Sequence, residues 1–244
     1  MGIIAVSDRG KVRSHNEDYY FIPDGKKLND NVMIIADGMG GHNAGDVASY
    51  IAVNAAVDYV THYKDEYGER YLNLLSDAMM FANKRLLELS SQYEQYEGMG
   101  TTMTAAWVVD NLIYIAHIGD SRAYMITANG IQQLTEDHSL VQEMVNQGKI
   151  TKAEAAAHPQ RNIITRALGI EENIQIDNMH VIYNPGDIFM LCTDGLTCHL
   201  SDDEIWHICY SADKDLNDKA YDMMKLANER GGLDNITVIL FQQC

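Results

Sequence analysis

The apolar run Val32-Met33-Ile34-Ile35-Ala36 breaks abruptly on Asp37-Gly38-Met39-Gly40-Gly41-His42. A run of that length reads as a buried strand, and a carboxylate followed at once by glycines marks where such a strand stops. Glycine lets the backbone turn tightly there and lets a peptide carbonyl approach whatever the carboxylate holds. The device recurs. Ile188 to Thr193 lead to Asp194-Gly195, Leu112 to Ile118 lead to Gly119-Asp120, and Asp234 stands just before Ile236 to Phe241. Carboxylates that converge at strand ends repel and desolvate one another unless a cation neutralises them. A converging set therefore implies a centre for Mg²⁺ or Mn²⁺.

The 244 residues are 46% hydrophobic, enough for a sizeable core, and with three prolines and no Pro/Ser-rich linker they read as one domain over 1–244. A formal charge of -17 argues against nucleic acid or an anionic membrane as the main partner, since both would be repelled, and favours a monomer. No stretch has the length of a membrane span, and the N-terminus lacks a basic segment followed by an apolar one, so the expected location is cytoplasmic. Met1-Gly2 invites a myristoylation reading, but Val6 stands where Ser or Thr is needed. The four cysteines, Cys192, Cys198, Cys209 and Cys244, show no paired metal-ligand spacing.

Along the chain, Ile3 to Val6 form a first strand and Tyr19 to Ile22 a second, with Glu17 and Asp18 at its start and Arg13 just upstream. Such an arginine is either half of a surface ion pair or a planar fork for a phosphate. Asn43 can cap a helix over 44–62, and leucine and methionine at helical spacing predict a second over 69–91. Strands follow over 103–109 and 112–118, and Ile131 to Thr135 continue the sheet. Ser139 with Gln142, and Thr151 with Glu154, read as capping boxes for two short helices, the second stopped by Pro159. They interrupt a β-rich chain between 139 and 169, as an insertion beside a site does. Strand signal returns over 174–183 and 188–193, helices start at Ser201 and Asp215, and the last strand follows Asp234. His117, between apolar neighbours, reads as a satisfied core residue, while His62 and His158 read as surface.

Arg13 with Asn16-Glu17-Asp18, Asp37-Gly38-Met39-Gly40-Gly41-His42, Gly100-Thr101-Thr102, Gly119-Asp120-Ser121-Arg122, Asp137-His138-Ser139, Arg161-Asn162 with Thr165-Arg166-Ala167-Leu168-Gly169, Thr193-Asp194-Gly195 and Asp234-Asn235-Ile236-Thr237 occur in this order. The set resembles the ordered motifs of the metal-dependent protein phosphatases of the 2C type, bacterial branch, over nearly the whole chain. The resemblance implies an α+β fold: a four-layer αββα sandwich of two antiparallel β-sheets flanked by helices, with a helical flap insertion at about 139–169. It implies a serine/threonine protein phosphatase in which a metal-bridging hydroxide attacks phosphoserine or phosphothreonine in line, with no covalent phosphoenzyme. The expected cofactors are two Mn²⁺ or Mg²⁺ ions and a third ion typical of the branch. The expected partners are phosphorylated proteins and a cognate Ser/Thr kinase of eukaryotic-like type.

Carried over position by position, Asp37 would bridge two ions, with the Gly38 carbonyl, Asp194 and Asp234 completing direct ligation. Glu17 and Asp18 would act directly or through bound water, and Asp120 with Asp194 would hold the third ion. Arg13 would bind the phosphate, and Arg13, Asp18 and Asp37 are the expected catalytic residues. One departure stands out. Eukaryotic relatives carry after Asp-Gly a His often treated as the acid for the leaving alkoxide, and here the residue is Met39, which cannot donate a proton. His42 titrates in the right range but does not occupy that position. A partner-binding pseudophosphatase would lose a core carboxylate, and a purely structural cation site has no use for Arg13.

Overall fold

A computed structural model describes residues 2–23, 32–40, 44–211 and 213–243. The predicted roles for His42 and for Asn43 as a helix cap lie outside the described residues. A five-stranded sheet is built from β1 (Gly2–Asp8), β11 (Ile236–Gln242), β10 (Ile188–Cys192), β7 (Arg122–Thr127) and β8 (Gly130–Gln133), in that spatial order. A second sheet runs β2 (Asp18–Phe21), β3 (Val32–Met39), β5 (Met103–Val109), β6 (Leu112–Ile118) and β9 (Asp177–Ile182), with the short β4 (Gly100–Thr101) pairing β3 to one side. Every pairing is antiparallel.

The central strands β3, β5, β10 and β11 are apolar on both faces because each sheet is covered twice. Met33, Ile35, Ile115, Phe189, Leu191 and Phe241 fill the seam between the sheets. Ile34, Ala36 and Met103 face outward onto α1 (Ala44–Tyr67) and α2 (Tyr71–Gln92), through Ala48, Ala52, Leu75, Met79 and Leu86. On the other side Met190, Val238 and Leu240 pack on α5 (Asp194–Thr197), α6 (Asp202–Cys209) and α7 (Leu216–Glu229). The order helix, sheet, sheet, helix is the expected four-layer αββα sandwich, and the small helices α3 (Leu140–Asn146) and α4 (Lys152–Ala156) form the expected helical insertion.

Several boundaries differ from expectation for identifiable reasons. β3 does not stop at Asp37 but continues through Gly38 and Met39, because β4 supplies their partners, Thr101 and Gly100. α1 runs past residue 62 to Tyr67, where the Tyr59 and Tyr67 hydroxyls meet at 2.9 Å. β7, assigned to no element from sequence, is a central strand. The Ser139 cap is half a box: its hydroxyl accepts from the Gln142 amide, but the Gln142 side chain turns to Asn146. The boxes at Thr151/Glu154 and Ser201/Glu204 are complete.

Candidate functional site

The predicted carboxylates gather at one end of the two sheets. Asp18 opens β2 and Asp37 lies directly opposite it on β3. From the other sheet come Asp194, in the first turn of α5 just beyond β10, and Asp234, two residues before β11. Asp120 follows β6 across a glycine with φ of +109°, a left-handed conformation, and a Cβ on Gly119 would stand 2.5 Å from the Thr102 side chain.

Each sheet meets its helix through a glycine that cannot be enlarged. A Cβ on Gly38 would lie 2.0 Å from the Gly45 carbonyl oxygen, and one on Gly195 would lie 1.9 Å from the Asn235 carbonyl oxygen. These contacts set how closely α1 and α5 approach the acids. Asn235 ties the loops together: its side-chain oxygen accepts from the Glu17 amide at 2.8 Å, and its Nδ2 donates to the carbonyls of Arg9 and His15 at 2.8 and 2.9 Å.

Threonine hydroxyls orient the acids. Thr237 and Thr193 both donate to Asp18 Oδ2, at 2.6 and 2.9 Å, joining β2 to the opposite sheet. The Asp37 amide donates to Thr102 Oγ1 at 2.9 Å. No role for these threonines was read from the sequence. Their signal was a hydroxyl placed in or at the end of an otherwise apolar strand, where a polar side chain needs a partner.

The electrostatics are those of crowded, desolvated acids. Asp18 and Asp120 are buried. Desolvation first, then neighbouring carboxylates, hold Asp37, Asp120 and Asp194 above the usual range. Desolvation also raises Asp18, against the pull of its two threonine donors. Glu17 is raised by desolvation too, partly offset by Arg13. Among the described residues, Asp18 Oδ1 and Asp194 Oδ1 are buried without a hydrogen-bond partner. Orphaned anionic oxygens of this kind are stable only with a positive charge beside them.

Among the described residues no three His, Cys, Asp or Glu side chains already close on one point as a cage. The donors present are carboxylates and a glycine carbonyl, hard oxygens of the type Mg²⁺ and Mn²⁺ take, and Mg²⁺ keeps several waters while using only one or two carboxylates. Open, all-oxygen surroundings with two orphaned carboxylate oxygens fit such ions.

Arg13 reaches this cluster from the β1–β2 loop. Its main ionic partner is not Glu17, four residues downstream and 4.0 Å away, but Asp234, at 2.7 Å. A cleft of about 520 Å³ beside α3 and α4 is lined by Asp120 and Asp194 together with Arg122, Val141, Gln142 and Arg161 among others. Arg122 is held there by a two-pronged contact with Asp137.

A histidine pair braces the Asp120 turn. Gly119 and His138 exchange two bonds: the His138 amide donates to the Gly119 carbonyl at 2.8 Å, and the Gly119 amide donates to His138 Nδ1 at 3.0 Å. An amide can only donate, so Nδ1 is the bare nitrogen and Nε2 carries the proton to Asp177, 3.1 Å away. His117 packs against it with the rings tilted by 35° and centroids 4.8 Å apart, fully buried between Thr104 and the Glu136 carbonyl as expected of a core residue. Burial, then His138, pushes His117 down to about 4.

The family model for protein phosphatase 2C matches residues 9–239. The chain belongs to the protein phosphatase 2C family. It is similar to the protein phosphatase PhpP of Streptococcus pneumoniae, 42% identical over 246 residues and covering 98% of this chain and 96% of that protein. The serine/threonine phosphatase stp of Listeria monocytogenes is 39% identical over 241 residues, covering 97% of this chain and 94% of its own. Among solved structures, the serine/threonine phosphatase PstP/Ppp of Mycobacterium tuberculosis superposes with a TM-score of 0.90 at 35% identity, over 100% of this chain and 99% of that one. The catalytic domain of PstP in complex with two manganese ions superposes at 0.85 and 34% identity, over 98% and 96%. As a family member this chain is a protein phosphatase. Among its described residues no helix is long and apolar enough to cross a membrane.

Proposed function

We propose that this 2C-family phosphatase hydrolyses phosphoserine and phosphothreonine in proteins at the Asp18–Asp37–Asp194–Asp234 cluster, in a single domain over 1–244 with the 139–169 insertion as a flap. The observation that carries this reading is the pair of orphaned, buried oxygens, Asp18 Oδ1 and Asp194 Oδ1, contributed by opposite sheets, in a cluster whose Asp234 holds the guanidinium of Arg13 at 2.7 Å. Asp37, the Gly38 carbonyl, Asp194 and Asp234 would hold two Mn²⁺ or Mg²⁺ ions, Glu17 and Asp18 would contribute directly or through water, and Asp120 with Asp194 would hold a third. When bound, such ions lower the pKa of water and neutralise charge on phosphoryl oxygens.

The chain's own residues supply the rest. Arg13 binds two phosphoryl oxygens with its planar fork, exchanging part of its contact with Asp234 for the substrate. Thr193 and Thr237 hold Asp18 so that its free oxygen stays unbonded to protein. Cys198 places its thiol 4.0 Å from Asp194 Oδ2, but desolvation and then the Asp194 charge push it up to about 12. Met39 cannot protonate the leaving alkoxide. The cell's phosphorylated proteins, and the Ser/Thr kinase that modifies them, are the proposed partners, with the enzyme cytoplasmic and monomeric.

The test is hydrolysis of p-nitrophenyl phosphate and a phosphothreonine peptide with Mn²⁺, with Mg²⁺ and after EDTA, for the native chain and Asp194→Ala. Metal-dependent turnover that falls at least about 100-fold in the variant is expected. A folded, metal-bound native protein without turnover would sink the reading.

A further inference from the structure

The loop carrying Arg13 and the loop carrying Asp234 run side by side, and the residue before each partner is an exposed aliphatic. Val12 is 63% exposed and Leu233 54% exposed. The two loops are in close contact. The amides of Lys11 and Val12 both donate to the Gly232 carbonyl, at 2.8 and 3.3 Å, and one residue further on Arg13 meets Asp234 at 2.7 Å.

Neither loop is free to fold these side chains away. A Cβ on Gly10 would stand 2.2 Å from the Asp234 carbonyl oxygen and 2.8 Å from that of Gly232. Gly232 itself has φ of +52°, and a Cβ there would lie 2.9 Å from the Lys11 nitrogen. Asn235 holds the carbonyls of Arg9 and His15, and the Leu233 amide donates to His199 Nε2 at 3.1 Å. A lone exposed aliphatic is ordinary. Two of them, on braced loops and each adjacent to one half of the Arg13–Asp234 pair, form a small preorganised apolar rim where a phosphate would bind.

Resting on the proposed phosphatase reading, we propose that Val12 and Leu233 form a subsite for an apolar side chain of the substrate polypeptide next to the phosphorylated residue. The occupant follows from continuity: a phosphoryl group held by Arg13 brings its own flanking residues to this rim. The subsite selects by burying aliphatic surface, a contribution that one or two side chains can raise to about tenfold or more in specificity.

The experiment compares two phosphothreonine peptides that differ only at the positions on either side of the phosphothreonine, leucine in one and glutamine in the other. Both are measured with Mn²⁺ for the native chain, Val12→Gln, Leu233→Gln and the double variant. The leucine peptide is expected to exceed the glutamine peptide in kcat/KM by about tenfold in the native enzyme and to lose that advantage in the double variant. A native ratio near one, or a ratio that survives the double substitution even while overall rates fall, overturns the subsite. The same pair made with a non-hydrolysable phosphonate is measured for binding by fluorescence anisotropy, where the ratio of Kd values must behave the same way. Absent turnover on p-nitrophenyl phosphate would count against the phosphatase reading alone, because the binding ratio still decides the subsite.

Discussion

Asp18 and Asp37 stand opposite each other on adjacent antiparallel strands, two carboxylates in a position where like charges destabilise a sheet. Their folded values lie above the ordinary 3.8, as do those of Asp194, at about 6, and Asp120, at about 8. A raised acid keeps its proton in the folded chain while the unfolded chain has released it. The metal-free protein is therefore expected to lose stability as pH rises from about 4 through about 8. Divalent cation favours the charged form and should flatten or reverse the slope. Melting temperatures at pH 5 and pH 8, in EDTA and in Mn²⁺, check this; an identical pH slope in both conditions would refute it.

Thr237 is fully buried, and its hydroxyl makes the shorter of the two threonine bonds to Asp18. Thr237→Val keeps the shape and removes the donor, which should destabilise the fold by about 1–3 kcal/mol. Because Asp18 would lose its fixed orientation, Mn²⁺ affinity should also fall by about 10- to 100-fold. Denaturant titration and calorimetric metal titration separate the two effects, and a variant with unaltered metal affinity would show that Asp18 needs no such support.

Gly38→Ala and Gly195→Ala drive a methyl into backbone oxygen at 2.0 and 1.9 Å, where nothing flexible can yield. Both are expected to destabilise by about 3 kcal/mol or more, through overpacking at the end of the sandwich. Gly68→Ala meets no atom within 4 Å and carries only the strain of φ at +56°, so it should cost about 1–2 kcal/mol. Equal melting points for Gly38→Ala and Gly68→Ala would contradict the contact geometry.

His138 braces the Asp120 turn through a bare Nδ1 and a protonated Nε2. His138→Ala should weaken metal binding and reduce kcat more than it raises KM, while His138→Gln, which offers both an acceptor and a donor, should recover part of the loss. Steady-state kinetics beside circular dichroism test this. If alanine and glutamine behave alike, the ring serves packing only.

Local patterns disclosed much of this molecule, and the failures share one cause. The capping boxes at Thr151/Glu154 and Ser201/Glu204 are complete within four residues, so spacing alone reveals them. The apolar runs ending near Asp194 and Asp120 likewise carry their own message. Asp37, by contrast, lies inside its strand only because Gly100 and Thr101 arrive from far along the chain to pair with the next two residues. β7 begins with Arg122, whose guanidinium is absorbed by Asp137 across a turn, and it becomes a strand through β10 and β8 on either side. The Arg13–Asp234 contact spans 221 positions. No window of sequence contains it.

That span has a consequence for how the enzyme is made. β1 and β11 are neighbours, with Gly2 paired to Gln242, so Arg13 belongs to the loop after β1 while its partner acid, Asp234, precedes β11. A nascent chain on the ribosome holds Arg13, Asp18 and Asp37 long before Asp194 and Asp234 exist. Closure of the site must await synthesis of β11, among the most distant pairings the chain can make and so among the slowest to form. A fragment cut short before Asp234 would lack both the acid that Arg13 meets and the strand that pairs with β1.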